Sequence, residues 1–468
     1  MAQSKCQSLR LNRIARIGTQ VNSNNVNRIS RCSSIFSLLG TAILCLLWPS
    51  TSSSEPSKPA EKPNIIFILA DDLGTGNVSC YGADNFKTPN IDSLAQSGLR
   101  FDHCYASPLC APSRSLLMTG RYAFHTGMTG QRPPPSYKPA NETMMPQVLK
   151  PAGYVTGMVG KWSQLPLEPS DWGFDEYLRF NGSGKYWNTQ DKNKTYTVNG
   201  KETPLPDGEY LPDTMHKFAV DFITRHKNEP FYLYYPMSHV HISIMRTPDS
   251  APDSKDLYQD NVAYMDKLVG KLLAELDRLK LRDNTLIVFA GDNGTAPMFT
   301  ARSTIRGKTL SGSKGTMLEC GSLVPCIASW PGKIPAGKVS SSLIDFSDFL
   351  PTFAAIAGAK LPAGLTVDGK SFASQLCGKD EAWPRDWIFV QLGKHWFNRD
   401  TSWKLNESNE LFDMRNAPFA ETLVPANQQD DVATTARKRL QTVLDQLNPA
   451  AGKFGPGGDS ESEGPKKK

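Results

Sequence analysis

Residues 109–122 read LCAPSRSLLMTGRY, and two of their side chains can do chemistry together. Pro112 suits the first turn of a helix, where a missing N–H costs nothing. Leu116, Leu117 and Met118 supply an apolar face for that helix. Cys110 then falls just before the helix N-terminus, where free N–H groups and the positive dipole end lower a thiol pKa or receive an anion. Arg114, one turn on, offers a planar fork to an oxyanion. Acidic and amide groups recur at two other points. Asp71-Asp72 closes the apolar run 65–70 (IIFILA), and Asp292-Asn293 follows the run 285–290 (TLIVFA) after Gly291. Four oxygen-bearing side chains with no coupled His or Cys suit a hard cation, Ca²⁺ before Mg²⁺. Carboxylates gathered this way raise one another's pKa unless a cation neutralises them.

These residues need elements to position them. The runs 65–70 and 285–290 are β-branched and aromatic without alternation, the pattern of central strands buried on both faces. Open α/β sheets bind ligands at the C-terminal ends of such strands. Residues 261–280 carry Val262, Met265, Leu268, Val269, Leu272 and Leu276 at helical spacing and lead into the second strand, as in a βαβ unit. A short helix is expected at 90–98. A helix at 143–152 leads into a strand at 154–159 that ends in Gly160-Lys161-Trp162. A helix at 213–227 precedes the strand 230–235 and then Ser238-His239-Val240-His241, where strand alternation puts both histidines on one face. Residues 181–212 show little periodicity and read as a long loop, either a surface excursion or a wall of the site bearing Tyr186 and Trp187. Residues 310–316 (LSGSKGT) form a glycine-lysine loop without Walker A order. Beyond 378, short strands at 387–391, 403–406 and 410–414 precede a helix at 430–447 with Val432, Ala436, Leu440, Val443, Leu444 and Leu447 inward. The expected fold is α/β: a large, mostly parallel sheet flanked by helices over 63–378, then a small α+β subdomain with an antiparallel sheet over 379–447.

The ends of the chain differ from its middle. Residues 1–54 hold six basic residues and no acidic one, which accounts for the whole net charge of +6. The remaining chain is neutral, so nucleic acid is not an expected partner. An apolar run at 35–48, shorter than the ~20 residues that span a bilayer, and small residues at 50–54 read first as an export signal, giving a periplasmic or extracellular location, and second as an uncleaved membrane anchor. Residues 55–62 form a Pro/Ser/Lys linker, and 448–468 a disordered tail. Six cysteines follow the leader, Cys80, Cys104, Cys110, Cys320, Cys326 and Cys377, without zinc spacing. No pairing among them is assigned.

Cys-x-Pro-Ser-Arg, four residues, then Thr-Gly-Arg-Tyr resembles the signature of the type I sulfatases, formylglycine-dependent hydrolases of the alkaline phosphatase superfamily. The resemblance covers roughly 63–447. It implies that a maturation enzyme oxidises Cys110 to formylglycine (3-oxoalanine). It also implies that calcium is held by Asp71, Asp72, Asp292, Asn293 and residue 110. Lys161 matches the sulfate-contacting lysine of Gly-Lys-Trp-His-Leu-Gly, and Lys314 that of Lys-Gly-x-x-x-Glu-Gly-Gly. His241, counted from residue 230, falls in the register of a family histidine; His239 does not and stands as a second substrate-binding candidate. Asn77 follows Gly76 where the family usually has Asp, Ser163 stands at the family's histidine, and Leu323 at its arginine. The implied reaction is hydrolysis of a sulfate monoester of a glycan or aryl alcohol. One hydroxyl of the hydrated aldehyde attacks sulfur, the alcohol leaves, and the second hydroxyl expels sulfate. Asp292 helps deprotonate the nucleophile, Arg114, Lys161 and Lys314 stabilise sulfuryl oxygens, and His241 protonates the leaving oxygen. The loss at Ser163 leaves His239, water, or impaired turnover for the resetting step. Two alternatives share the pattern: a phosphodiester or phosphonate monoester hydrolase, and a weakly active paralogue that binds sulfated glycans.

Overall fold

The computed structural model describes residues 62–162, 165–180, 182–189, 194–379 and 381–455. The expected leader, the linker except Lys62, Ser163, and the tail from 456 onward lie outside the described residues.

The chain opens with β1 (Asn64–Ala70), α1 (Pro89–Gln96), β2 (Leu99–Tyr105), α2 (Cys110–Thr119), α3 (Ala123–Thr126) and α4 (Met145–Leu149). It continues through β3 (Val155–Lys161), β4 (Glu176–Phe180), β5 (Thr195–Val198), β6 (Lys201–Pro204), α5 (Leu211–Arg225), β7 (Phe231–Pro236), α6 (Leu257–Arg278) and β8 (Thr285–Gly291). A two-stranded ribbon, β9 (Thr304–Ile305) and β10 (Lys308–Thr309), precedes α7 (Glu319–Ser322), β11 (Leu323–Ser329), β12 (Lys338–Asp345), α8 (Phe349–Ala357) and α9 (Ala373–Leu376). The last part holds β13 (Ile388–Leu392), β14 (His395–Arg399), β15 (Trp403–Asn406), β16 (Leu411–Asp413), β17 (Thr422–Val424) and α10 (Asp431–Leu447).

Ten strands form one mixed, mostly parallel sheet in the order β12-β2-β11-β8-β1-β7-β3-β4-β5-β6. The block β8-β1-β7-β3-β4 is parallel throughout. β1 has every residue buried because both of its faces are covered. Ile65, Phe67 and Leu69 pack with Leu117, Met118, Val148 and Phe353 of α2, α4 and α8. Ile66, Ile68 and Ala70 pack with Leu94, Phe222 and Leu268 of α1, α5 and α6. On α6, Val262, Met265, Leu268, Val269, Leu272 and Leu276 are almost wholly buried. Each such side chain contributes about 1.5–3 kcal/mol, so this stripe holds the helix that feeds β8. A separate five-stranded antiparallel sheet, β13 to β17 in sequence order, makes up the small subdomain together with α10.

Several expectations change. Residues 195–204 form the β5–β6 hairpin at the sheet edge rather than a structureless loop. Strands β14 and β17 carry no sequence signal strong enough to predict them. β7 ends at Pro236, so His239 and His241 are not on a strand and share no face by alternation. Val432 is 64% exposed, whereas Ala436, Leu440 and Leu444 of the same helix are buried. The part of the expected tail that is described, through Gly455, contains a 3₁₀ turn at Pro449–Ala451 and packs on the large domain. No described helix is long and apolar enough to cross a membrane.

Candidate active site

Two adjacent parallel strands create the acidic centre. β1 and β8 pair Ala70 with Gly291, so Asp71 and Asp292 leave the sheet side by side. The Asp292 amide donates to the Ala70 carbonyl at 2.9 Å, and the Asp72 amide to Asp292 Oδ1 at 3.0 Å. β3 brings Lys161 to the same edge. Gly160 makes this possible: a Cβ there would lie 1.8 Å from the Pro236 carbonyl oxygen, and its φ of +132° is one that side chains rarely adopt. Lys161 Nζ, fully buried, donates to Asp71 Oδ2 at 2.6 Å and lies 3.5 Å from Cys110 Sγ.

α2 supplies the other half. The helix begins at Cys110 itself rather than one residue later, and Ser113 Oγ donates back to the Ser107 and Leu109 carbonyls to set the turn. Arg114, one turn in and buried, donates from Nη2 to Asp292 Oδ2 at 2.7 Å and stands 3.6 Å from Asp71 Oδ1. Its Nη1 donates to the Lys161 carbonyl at 3.3 Å. Lys314 reaches across from the glycine-lysine loop to Asp72 Oδ1 at 3.0 Å and to His241 Nε2 at 3.3 Å. Asn293 Nδ2 donates to Asp72 Oδ1 at 2.9 Å. His241 Nε2 lies 3.7 Å from Asp72 Oδ2.

The structure therefore brings together Asp71, Asp72, Cys110, Arg114, Lys161, His241, Asp292, Asn293 and Lys314. It does not bring in the side chain of His239. That ring is buried against Tyr186 and Tyr210, with Nε2 2.9 Å from the Tyr210 hydroxyl. Burial drives its pKa down to about 3, so it is neutral. Only its backbone serves the site, by accepting from the Asp71 amide at 2.7 Å. Leu323 lies in a small apolar cluster with Tyr105, Leu343 and Phe397. The buried Glu319, four residues earlier, pairs with Arg399 of β14 and accepts from Tyr105 at 2.7 Å. Gln131 carries no motif and was not singled out by sequence; its Nε2 lies 3.6 Å from Cys110 Sγ.

Electrostatics sort the carboxylates. Burial works to raise the pKa of Asp71, but Lys161, His241 and Arg114 outweigh it and hold the group below the usual range. Asp292 is raised, first by burial and then by the charge of Asp71, against the pull of Arg114 and Lys161. The Cys110 thiol is pushed up by burial, more than Lys161 and Lys314 lower it. The unmodified cysteine is thus a poor nucleophile, contrary to the expectation of a lowered thiol pKa.

The same residues fit a metal ion. Ligand atoms of Asp71, Cys110 and Asp292 lie within 4.8 Å of one another. Asp71 Oδ1 and Asn293 Oδ1 are buried acceptors that accept no hydrogen bond. Buried acceptors of this kind cost about 1–3 kcal/mol each when left unmet, and a cation between them removes that cost. The oxygen-rich donor set selects a hard cation.

The family model described as Sulfatase matches residues 63–359. Mouse Arylsulfatase G is 32% identical over 395 residues, 74% of each chain. Human Arylsulfatase A is 34% identical over 365 residues, 70% of each, and human N-acetylgalactosamine-6-sulfatase 34% over 341 residues, 66% of this chain and 65% of that one. Among solved structures, that of Ps i-CgsB in complex with k-i-k-neocarrahexaose aligns with a TM-score of 0.71 and 30% identity, covering 83% of this chain and 92% of that one. Every residue that meets around Cys110 falls inside the matched stretch, and on that ground the chain belongs to the sulfatase family, hydrolases that act on sulfuric ester bonds.

Proposed function

We propose that this protein hydrolyses sulfate monoesters of a glycan or aryl alcohol, using formylglycine made from Cys110 and one calcium ion. The observation that carries the reading is the convergence of Arg114, Lys161 and Lys314 with three carboxylates around Cys110, beside two acceptor oxygens without donors. Asp71, Asp72, Asp292, Asn293 and residue 110 would hold the calcium, which supplies a Lewis acid for a sulfuryl oxygen, while formylglycine supplies the nucleophilic hydroxyl. The names of the relatives span both aryl and glycan sulfates. A separate maturation enzyme is the implied partner, and the basic, then apolar, leader supports export to the periplasm or beyond.

The chain's own groups have distinct tasks. Lys161 and Lys314 bind the sulfuryl oxygens that gain charge, and Arg114 orients Asp292 while adding a third positive centre; preorganised donors of this kind are usually the largest catalytic term. Asp292, with its raised affinity for a proton, takes one from the nucleophile. His241, 14% exposed at the mouth of the cluster, gives one to the leaving oxygen. With His239 turned into the aromatic pocket, water as base or impaired turnover is left for the step that a histidine at 163 would serve.

Mass spectrometry of the peptide spanning residue 110, on protein from a host with the maturation enzyme, should show formylglycine. The same protein should cleave 4-nitrophenyl sulfate in preference to the diester bis(4-nitrophenyl) phosphate. Unmodified cysteine throughout would sink the formylglycine mechanism, and a preference for the phosphate would move the chain to the phosphodiester and phosphonate hydrolases.

A further inference from the structure

We infer that Gln131 is a further active-site residue, whose side-chain amide donates to an oxygen carried at residue 110 and which the C-terminal end of the chain holds in place through Thr129. The inference rests on the sulfatase reading for the identity of that oxygen, but not for the geometry.

Two side-chain donors approach Cys110 Sγ, the atom standing in for the oxygen of the oxidised side chain or of a sulfuryl group delivered to it. Lys161 Nζ is at 3.5 Å and Gln131 Nε2 at 3.6 Å. The lysine is already committed to Asp71 at 2.6 Å. Arg114 and Lys314 are likewise tied to carboxylates. Gln131 is the neutral donor of the group, half-buried, and its bond to residue 110 involves no carboxylate. A neutral amide fixes the direction of an oxygen without altering the charge balance that the acidic centre depends on.

The segment bearing Gln131 belongs to no strand or helix, so something else must fix it. Thr129, fully buried, is gripped from two sides. Its carbonyl accepts from the Gly393 amide, in the turn between β13 and β14, at 2.6 Å, and its Oγ1 accepts from the Gly455 amide at 3.0 Å. Just upstream, the Lys453 amide donates to the Phe124 carbonyl at 2.7 Å. The fit at Gly455 is close: a Cβ there would lie 2.3 Å from the Gly127 carbonyl oxygen. The C-terminal strap and the small subdomain therefore reach the reacting atoms through two residues, Thr129 and Gln131.

The test uses full-length, matured protein and four variants. Gln131→Met keeps the length and removes the donor; Gln131→Glu keeps the shape and replaces the amide with an acceptor. Thr129→Val and Gly455→Val disturb the grip without touching residue 110. Turnover of 4-nitrophenyl sulfate is expected to fall about 100- to 1,000-fold in kcat for both Gln131 variants, as for loss of an oxyanion donor, with KM within threefold and the melting temperature unchanged. Thr129→Val and Gly455→Val should lower kcat in the same direction by a smaller factor. Calorimetric titration with inorganic sulfate, on protein whose Cys110 is unconverted, separates the two oxygens. Weakened sulfate affinity in Gln131→Met assigns the contact to a sulfuryl oxygen; unchanged affinity with lowered kcat assigns it to the oxygen of residue 110. Unchanged kcat together with unchanged affinity overturns the inference, as does a Gln131→Glu enzyme that matches wild type. Should wild type cleave no sulfate ester, the functional reading fails, and unchanged sulfate affinity in Gln131→Met then overturns the inference by itself.

Discussion

The charge cluster around Arg385 and the one around Cys110 are both buried, and they are built to opposite rules. In the first, Arg385 sits between Asp345 and Asp348 under β12 and α8. Every carboxylate oxygen there has a donor. Asp345 accepts from the Ser347 amide and hydroxyl, from Tyr122 at 3.1 Å and from Arg385 at 2.8 Å. Asp348 accepts from the Asp345 and Lys370 amides and from Arg385. In the second, around Cys110, three cations serve three carboxylates, yet Asp71 Oδ1 and Asn293 Oδ1 accept nothing. The first cluster is closed and ties the small subdomain to the large one. The second is left short of donors where the proposed calcium would sit. Both clusters are buried; they differ in whether their acceptors are satisfied.

The sharpest way to break this contrast is substitution within each cluster. Asp292→Asn should cost sulfatase activity about a thousandfold or more, while leaving the metal-free protein at least as resistant to urea as wild type, because it removes a buried charge already pushed toward protonation. Arg385→Leu should instead cost about 3–5 kcal/mol of stability, since two buried carboxylates lose their cation. A metal-free Asp292→Asn protein as unstable as Arg385→Leu would erase the distinction. Next in size is metal binding: calcium at 100 times its dissociation constant should stabilise wild type by about 2.7 kcal/mol, read as a raised melting temperature, and should leave Asp71→Asn nearly unmoved.

The closed cluster should also show itself in pH dependence. Burial, against the pull of Arg385 and with the push of Asp345, raises the pKa of Asp348 to about 7. The folded state then binds this proton more tightly than the unfolded chain does. The stability it contributes is fully present below about pH 4, the ordinary carboxylate range, and is lost as pH rises toward 7. Urea midpoints of Asp348→Asn should lack that slope; an identical slope in the variant would refute the assignment. The smallest effect is expected at Ser347→Ala, about 0.5–1.5 kcal/mol, because Asp345 Oδ1 keeps the Ser347 amide as donor.

Much of the site was legible because it is local in sequence. The runs IIFILA and TLIVFA announce central strands by composition, and the residues that follow them must land on one sheet edge once the strands are parallel neighbours. Cys110 and Arg114 share one helical turn, so their relation needs no tertiary information. What failed was long-range or irregular. His239 and His241 do not alternate because the strand before them stops at Pro236, and the ring of His239 is held by an aromatic pocket assembled from Tyr186 and Tyr210, both distant in sequence. The β5–β6 hairpin has polar faces because it adds to a sheet edge, so no apolar period marks it. Val432 keeps helical register with Ala436 and Leu440, yet sits in the first turn of α10 and is exposed. Gln131 is invisible because its place depends on two hydrogen bonds to Thr129 from residues more than 260 positions away.

The pairing of Glu319 with Arg399 has a consequence for how such a chain can be divided. The buried acid of the large domain depends on a cation encoded some eighty residues later in a different sheet. A large domain separated from this subdomain would keep the acid and lose its counter-ion, just beyond the loop that presents Lys314. The two parts therefore share one charge balance, whatever their topology suggests.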